Sequence, residues 1–171
     1  MNKADELKTK VLEAQTNNDI AALYVLESQA HEVFDEETLH GFYSNILDLA
    51  LERLTDTLES HKTFDMGEVQ DYATTRALYE YAMEHFSAGA IQDASALFEV
   101  LAGMTNDDKF SWSLKLHWLA AAENINIDDF MSKIADMDVT QANKTFYISG
   151  FSKEAQVLLD NAKEASTEKG N

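Results

Sequence analysis

The sequence predicts an all-α protein of stacked helical hairpins, and three observations carry that expectation. No proline occurs in 171 residues. Proline punctuates loop-rich and β-rich chains, so its absence fits helices joined by short polar turns. Apolar residues recur at spacings of three and four along nearly the whole chain, the period of one helix face. No segment alternates apolar and polar residues over the length of a strand.

The N-terminal region, residues 1–62, reads as helical. Ile20, Leu23, Tyr24, Ala30, Val33 and Phe34 mark one helix, with Glu27 the single break in its apolar pattern. Asp19 is placed to cap it, because its carboxylate accepts free N–H groups of the first turn. Leu39, Phe42, Tyr43, Ile46, Leu47, Ala50, Leu54 and Leu58 mark a long helix from about Asp35 to Glu59. Residues 61–67 form a joint that divides this region from a second one, residues 67–165.

The second region opens with a helix marked by Val69, Tyr72, Ala73, Ala77, Leu78, Tyr81, Ala82 and Phe86. It carries Tyr79 and Met83 on an adjacent face, so it packs on two sides or offers one side to a ligand. Shorter helices are expected near Ile91–Met104, Asp108–Glu123, Asp128–Asp136, Thr140–Ser149 and Ser152–Ala165. Lys163 to Asn171 reads as a frayed end, with residues 166–171 a disordered tail.

A spacing repeats within the second region. Gly89, Ala94, Phe98 and Leu101 are matched by Gly150, Ala155, Leu159 and Ala162. Each set opens on a glycine in a turn, where positive φ costs nothing. A small residue follows where two helices must cross closely, and then two apolar positions face the core. This is the second half of a tetratricopeptide unit, a helical hairpin with a period of about 34 residues. The first unit extends back through Leu78, Tyr81, Ala82 and Phe86, with Leu78 in place of the usual tryptophan and Ala82 in place of the usual glycine. Asn17, Ala22 and Leu26 give a fainter third echo, Asn being able to adopt the turn conformation. From Gly89 to Gly150 the chain falls about seven residues short of two units. The middle pair, Asp108–Asp136, lacks a small crossing residue, so the array is expected to pack irregularly there.

Charge narrows the function. Thirty-one acids against 13 Lys and Arg give a net charge of -18. No Lys or Arg occurs from Val11 to Glu52, where nine acids fall, or from Ala77 to Asp108, where six do. Such a field repels phosphate backbones and anionic membrane surfaces, which disfavours nucleic acid and membrane as partners. It suits solubility or a basic partner. The absence of Cys removes disulfides, thiolate metal sites and thiol nucleophiles. The N-terminal residues run into charge with no apolar stretch, and no segment approaches the roughly 18 apolar residues of a membrane span, so a cytoplasmic location is expected. The sequon at Asn143-Lys144-Thr145 is then without consequence.

Between Leu78 and Leu101 the sequence LYEYAMEHFSAGAIQDASALFEVL resembles the first repeat of the class II type III secretion chaperones, small acidic tetratricopeptide chaperones of translocator proteins. The resemblance covers the Tyr-rich helix, Gly89, Ala94, Leu97-Phe98 and Leu101. It does not extend to a glycine-rich second repeat, and the stretch to Thr63 is longer than that family's leader. The resemblance implies a concave groove that shields an apolar segment of a secreted partner until export. Carried onto this chain, the groove face comprises Tyr79, Met83 and Phe86, and Trp118 extends it on the next hairpin. Tyr offers large area with a hydroxyl, and Met repacks around varied shapes. The competing expectation is that the stripe packs on the N-terminal helices and that Trp118 and Trp112 are core. The N-terminal helices are open to two readings, a homodimer interface or a lid.

Two further readings stand beside this one. A tetratricopeptide-like adaptor unrelated to secretion has the same sequence features. A helical metalloprotein would use His31, Glu37 and His40, since Glu37-x-x-His40 has the spacing of di-iron bundles. No second Glu-x-x-His exists, and an acid-rich helix start is favoured by the helix dipole alone. No phosphate loop, nucleophile elbow or other catalytic signature is present, so neither enzyme nor cofactor is expected.

Overall fold

The computed structural model describes residues 2–169, and the side chains of residues 2–164. Ten α-helices form among them and no strand, with one isolated antiparallel bridge between Ala135 and Phe151. The all-α expectation holds. The chain divides into two compact units, Met1–Leu78 and Tyr79–Asn171. The division falls inside a helix, not at the expected joint of residues 61–67. The reason lies in the joint itself. Phe64 is fully buried, and the Asp65 N–H donates to Asp71 Oδ2 at 2.9 Å, so the segment is anchored to its own unit.

In the first unit, α1 (Lys3–Thr16) starts where the Asn2 side chain accepts the Asp5 N–H, and it buries Leu7, Val11 and Ala14 at spacings of four and three. Asn18, not Asn17, takes the left-handed turn, with φ 52°. Asp19 caps the next helix as expected, accepting from the Ala22 N–H at 3.0 Å. The expected single helix from Ile20 is two, α2 (Ile20–Val25) and α3 (Glu27–Val33), with Leu26 between them. The break precedes Glu27, whose carboxylate pairs with Arg76 at 3.1 Å and accepts the Tyr43 hydroxyl at 2.7 Å. The one polar position in the apolar pattern is thus an inward ion pair. The long α4 (Glu36–Glu59) matches expectation, capped by Asp35 and burying Phe42, Ile46 and Ala50.

Helix α5 (Val69–Ser87) contains the unit boundary. Residues 73–75 and 77–79 are all buried, whereas Val69 and Tyr72 at its start are exposed. Its threonines avoid orphaned hydroxyls by bonding backward: Thr74 donates to Gln70 O at 2.7 Å and Thr75 to Tyr72 O at 2.9 Å.

In the second unit, α6 (Ile91–Met104) and α7 (Asp108–Ala122) form a hairpin. Gly89 turns the chain into α6 with φ 86°, as the repeat pattern predicts. Ala94, Phe98 and Leu101 are buried. Gly150 does something else. Its φ is not positive; instead a Cβ there would lie 2.5 Å from both Asp136 O and Val139 Cβ. The second glycine of the repeat is a close-approach residue, not a turn residue. Of the apolar positions that follow it, Ala155 is buried, whereas Leu158 takes the core position expected of Leu159.

The segment after α7 is irregular. In place of a helix over Asp128–Asp136 there is one turn, α8 (Ile127–Asp129), and a π-helical turn, Phe130–Ile134. That wider turn puts both Phe130 and Ile134 in the core. The helix expected over Thr140–Ser149 starts earlier and ends sooner. It is α9 (Met137–Asn143), stopped by Lys144 in the left-handed conformation. Residues 145–152 then run irregularly, and their backbone bonds are met individually. Thr140 Oγ1 accepts the Ser149 and Gly150 N–H groups at 3.1 and 2.9 Å, and the Asp136 N–H donates to Gly150 O at 2.8 Å. Helix α10 runs over Lys153–Lys169. The expected tail, 166–171, lies outside the described side chains, and residues 170 and 171 outside the described backbone.

Candidate functional site

The expected groove stripe does not lie open. Tyr79 is 4% exposed and Phe86 1%. Phe86 packs between Phe98 and Phe130, with ring centroids 6.0 and 5.4 Å away. Tyr79 lies among Phe98, Phe110, His117, Phe146 and Tyr147, all within 6.4 Å between centroids. These two residues close the core of the second unit, which corrects their assignment to a binding face.

The polar tip of Tyr79 explains why a tyrosine stands there. His117 Nδ1 lies 2.6 Å from Ser113 O, one helical turn back, so Nδ1 carries the proton. Nε2 is then an acceptor, and the Tyr79 hydroxyl, 2.7 Å away, donates to it. The same hydroxyl oxygen accepts the Ile148 N–H at 3.0 Å. A relay of three bonds thus ties α7, α5 and the 145–148 segment inside an aromatic core. Burial lowers the His117 pKa to about 4 and pushes the Tyr79 hydroxyl well above its usual range.

Met83 is less covered than its two neighbours on the stripe. It is half-buried, and it lines a concavity of about 530 Å³ with Met137, Phe146 and Lys144, Tyr79 and Ile148 lying below. Met137 is 38% exposed and Phe146 half-buried. Three apolar side chains from α5, α9 and the irregular segment thus remain partly open around one hollow. Sequence reasoning missed Met137 and Phe146 because it ran a helix through Ser149. The run Phe146-Tyr147-Ile148 carried no distinguishing signal, since Ala77-Leu78-Tyr79 is an equally apolar run inside α5.

Neither tryptophan borders this hollow. Trp118, assigned to the groove, is half-buried, and its carbonyl accepts the Ser95 hydroxyl at 3.4 Å. It does not line this hollow. Trp112, read as core, is 46% exposed and sets its ring edge against Phe151 at 5.4 Å. A second concavity of about 570 Å³ lies beside it, bordered by Asp108, Asn143, Thr145 and Ser149.

The first unit has an apolar hollow of its own, about 280 Å³, between α2 and the start of α5. Val25, Val69 and Tyr72 border it and are 78%, 65% and 42% exposed. Arg76 lies 4.0 Å over the Tyr24 ring at its wall.

The His31, Glu37 and His40 set does not form a metal centre. Tyr43 gives its proton to Glu27, so His31 Nε2, 2.6 Å from the Tyr43 oxygen, donates to it. Glu37 and His40 are exposed on the first turn and a half of α4. Among the described residues no three His, Asp or Glu side chains converge to hold a metal ion. Among the same residues no helix is long and apolar enough to cross a membrane. Comparison with protein-family models, with curated proteins and with solved structures finds no match to this chain.

Proposed function

We propose that this protein binds an apolar segment of a partner protein, in the manner of the translocator chaperones that Leu78–Leu101 resembles. The observation that carries the reading is the Met83, Met137 and Phe146 concavity. A core residue is normally closed over; here two methionines and a phenylalanine from separate elements stay partly open around one hollow. Methionine is unbranched and polarisable, so such a wall adapts to an inserted side chain at small cost. Tyr79 borders it as a buried residue, and Phe86 is not part of its wall. The net charge of -18 keeps phosphate-rich ligands away and leaves a protein segment as the natural occupant.

The test is co-expression with the products of neighbouring genes, followed by affinity capture. Met83→Glu with Met137→Glu should abolish capture of a partner that wild-type protein retains, with thermal melting changed by only a few degrees. Capture that survives the double substitution counts against this site. Whether the captured protein carries an export signal separates a secretion chaperone from a general adaptor.

A further inference from the structure

We propose that the first unit carries a second docking surface, a trough across α2 that accepts a basic amphipathic helix of a protein partner. It goes beyond the Met-lined concavity and rests on different residues.

Val25, the last residue of α2, borders two hollows. One is the 280 Å³ hollow toward Val69 and Tyr72, and the other, about 340 Å³, lies toward Ala14 and Leu26. Val25 is 78% exposed, the highest among the exposed large apolar side chains described. A knob between two hollows is the surface relief that a helix meets when ridges pack into grooves. Two apolar side chains one turn apart on an incoming helix would enter the hollows and straddle Val25. Val69 and Tyr72, three residues apart on α5, extend the apolar wall along a single stripe.

Charge selects the flank of that helix. The first unit holds 16 acids against six Lys and Arg. Glu13 and Asp19 outnumber the single cation, Lys10, at one hollow, and Glu68 stands at the other. Arg76, the cation of the α5 side, is already paired with Glu27 and stacked on Tyr24. An approaching helix with Lys or Arg beside its apolar stripe is therefore attracted and steered, and one with acids is repelled.

The experiment uses the full chain and three synthetic, fluorescently labelled peptides of about five helical turns. One is an amphipathic Leu/Lys helix, one has Ser in place of Leu at equal charge, and one is a Leu/Glu helix. The Leu/Lys peptide should bind at least about tenfold tighter than either other, a difference of roughly 1.4 kcal/mol. Val25→Asp with Val69→Asp should weaken it by about tenfold or more, although it adds two attractive charges. Met83→Glu should leave it unchanged. Equal binding of Leu/Lys and Ser/Lys peptides overturns the proposal, as does no binding at all. So does tighter binding to the double-Asp chain, which would mean electrostatic adsorption only. Loss of binding in Met83→Glu would place the peptide in the other concavity. A peptide-free dimer that the double-Asp substitution dissociates would give the trough to a second copy of the chain.

Discussion

The two units stabilise short helices by different chemistry. The first is cross-linked by charged and polar side chains. Arg53 bonds Asp71 at 2.8 Å and Glu68 at 3.3 Å, Arg76 pairs with Glu27, Gln70 donates to Asp19 at 2.6 Å, and Tyr43 bridges Glu27 and His31. The second is held by rings: Tyr79, Phe86, Phe98, Phe110, His117, Phe130 and Tyr147 form one contiguous cluster with a single polar relay at its centre. The difference teaches where each unit is vulnerable. Half-exposed ion pairs are worth little apiece and yield to salt, whereas a ring cluster fails at a single void or a single misplaced proton.

The sharpest break is a void in the second unit. Phe98 is fully buried against Tyr79, Phe86 and His117. Phe98→Ala should cost about 3–5 kcal/mol by denaturant unfolding, and hydrogen exchange should show α6 and α7 losing protection first. A cost under about 1 kcal/mol would mean the cluster is not the core of that unit.

Acid should break the same unit at its relay. The folded pKa of His117 is about 4, below its ordinary 6.5, because burial disfavours the imidazolium. Between those values the unfolded chain binds the proton and the folded chain does not, so stability rises with pH there. The contribution is present above pH 6.5 and is lost as pH falls toward 4. Protonation also inverts the relay: Nε2 becomes a donor, so the Tyr79 oxygen faces two donors while its own proton loses its acceptor. Unfolding measured at pH 6.5 and 5 should differ by about 2 kcal/mol, and His117→Gln should flatten that slope. An equally steep slope in the variant would assign the loss to other groups.

The smallest expected effect belongs to the first unit. Arg76→Met removes an ion pair whose partners are 29% and 24% exposed, together with a cation–π contact. It should cost about 1 kcal/mol, discounted for screening, and the difference from wild type should shrink in high salt. A salt-independent loss of several kcal/mol would erase the contrast between the units.

What was legible in the sequence follows the same divide between pattern and coincidence. Helices with sustained periodicity, α4 with its Asp35 cap and α6 with none, were readable to within a residue. So was the turn at Gly89, where only a residue without Cβ is free at φ 86°. The identical spacing at Gly150 was misleading, because a glycine required for close approach looks the same in sequence as one required for a turn. The run from Asp128 to Gly150 was least readable: its π-turn, its left-handed Lys144 and its individually bonded backbone depend on tertiary partners such as Thr140. The stripe at Tyr79, Met83 and Phe86 was found but not its direction. Spacing places residues on one face; only the elements that cover the face decide whether it is open. Here the 145–148 segment covers Tyr79, Phe130 covers Phe86, and Met83 is left at the edge.

That edge is the central claim, and site-specific photo-crosslinking in living cells tests it most directly. A photoreactive amino acid would replace Met83, Met137 or, as an exposed control on α6, Val100, which is 40% exposed. The account predicts one adduct of defined mass at positions 83 and 137 and none at 100. Adducts of equal yield at position 100, or none at 83 and 137 beside a robust adduct elsewhere, would contradict it.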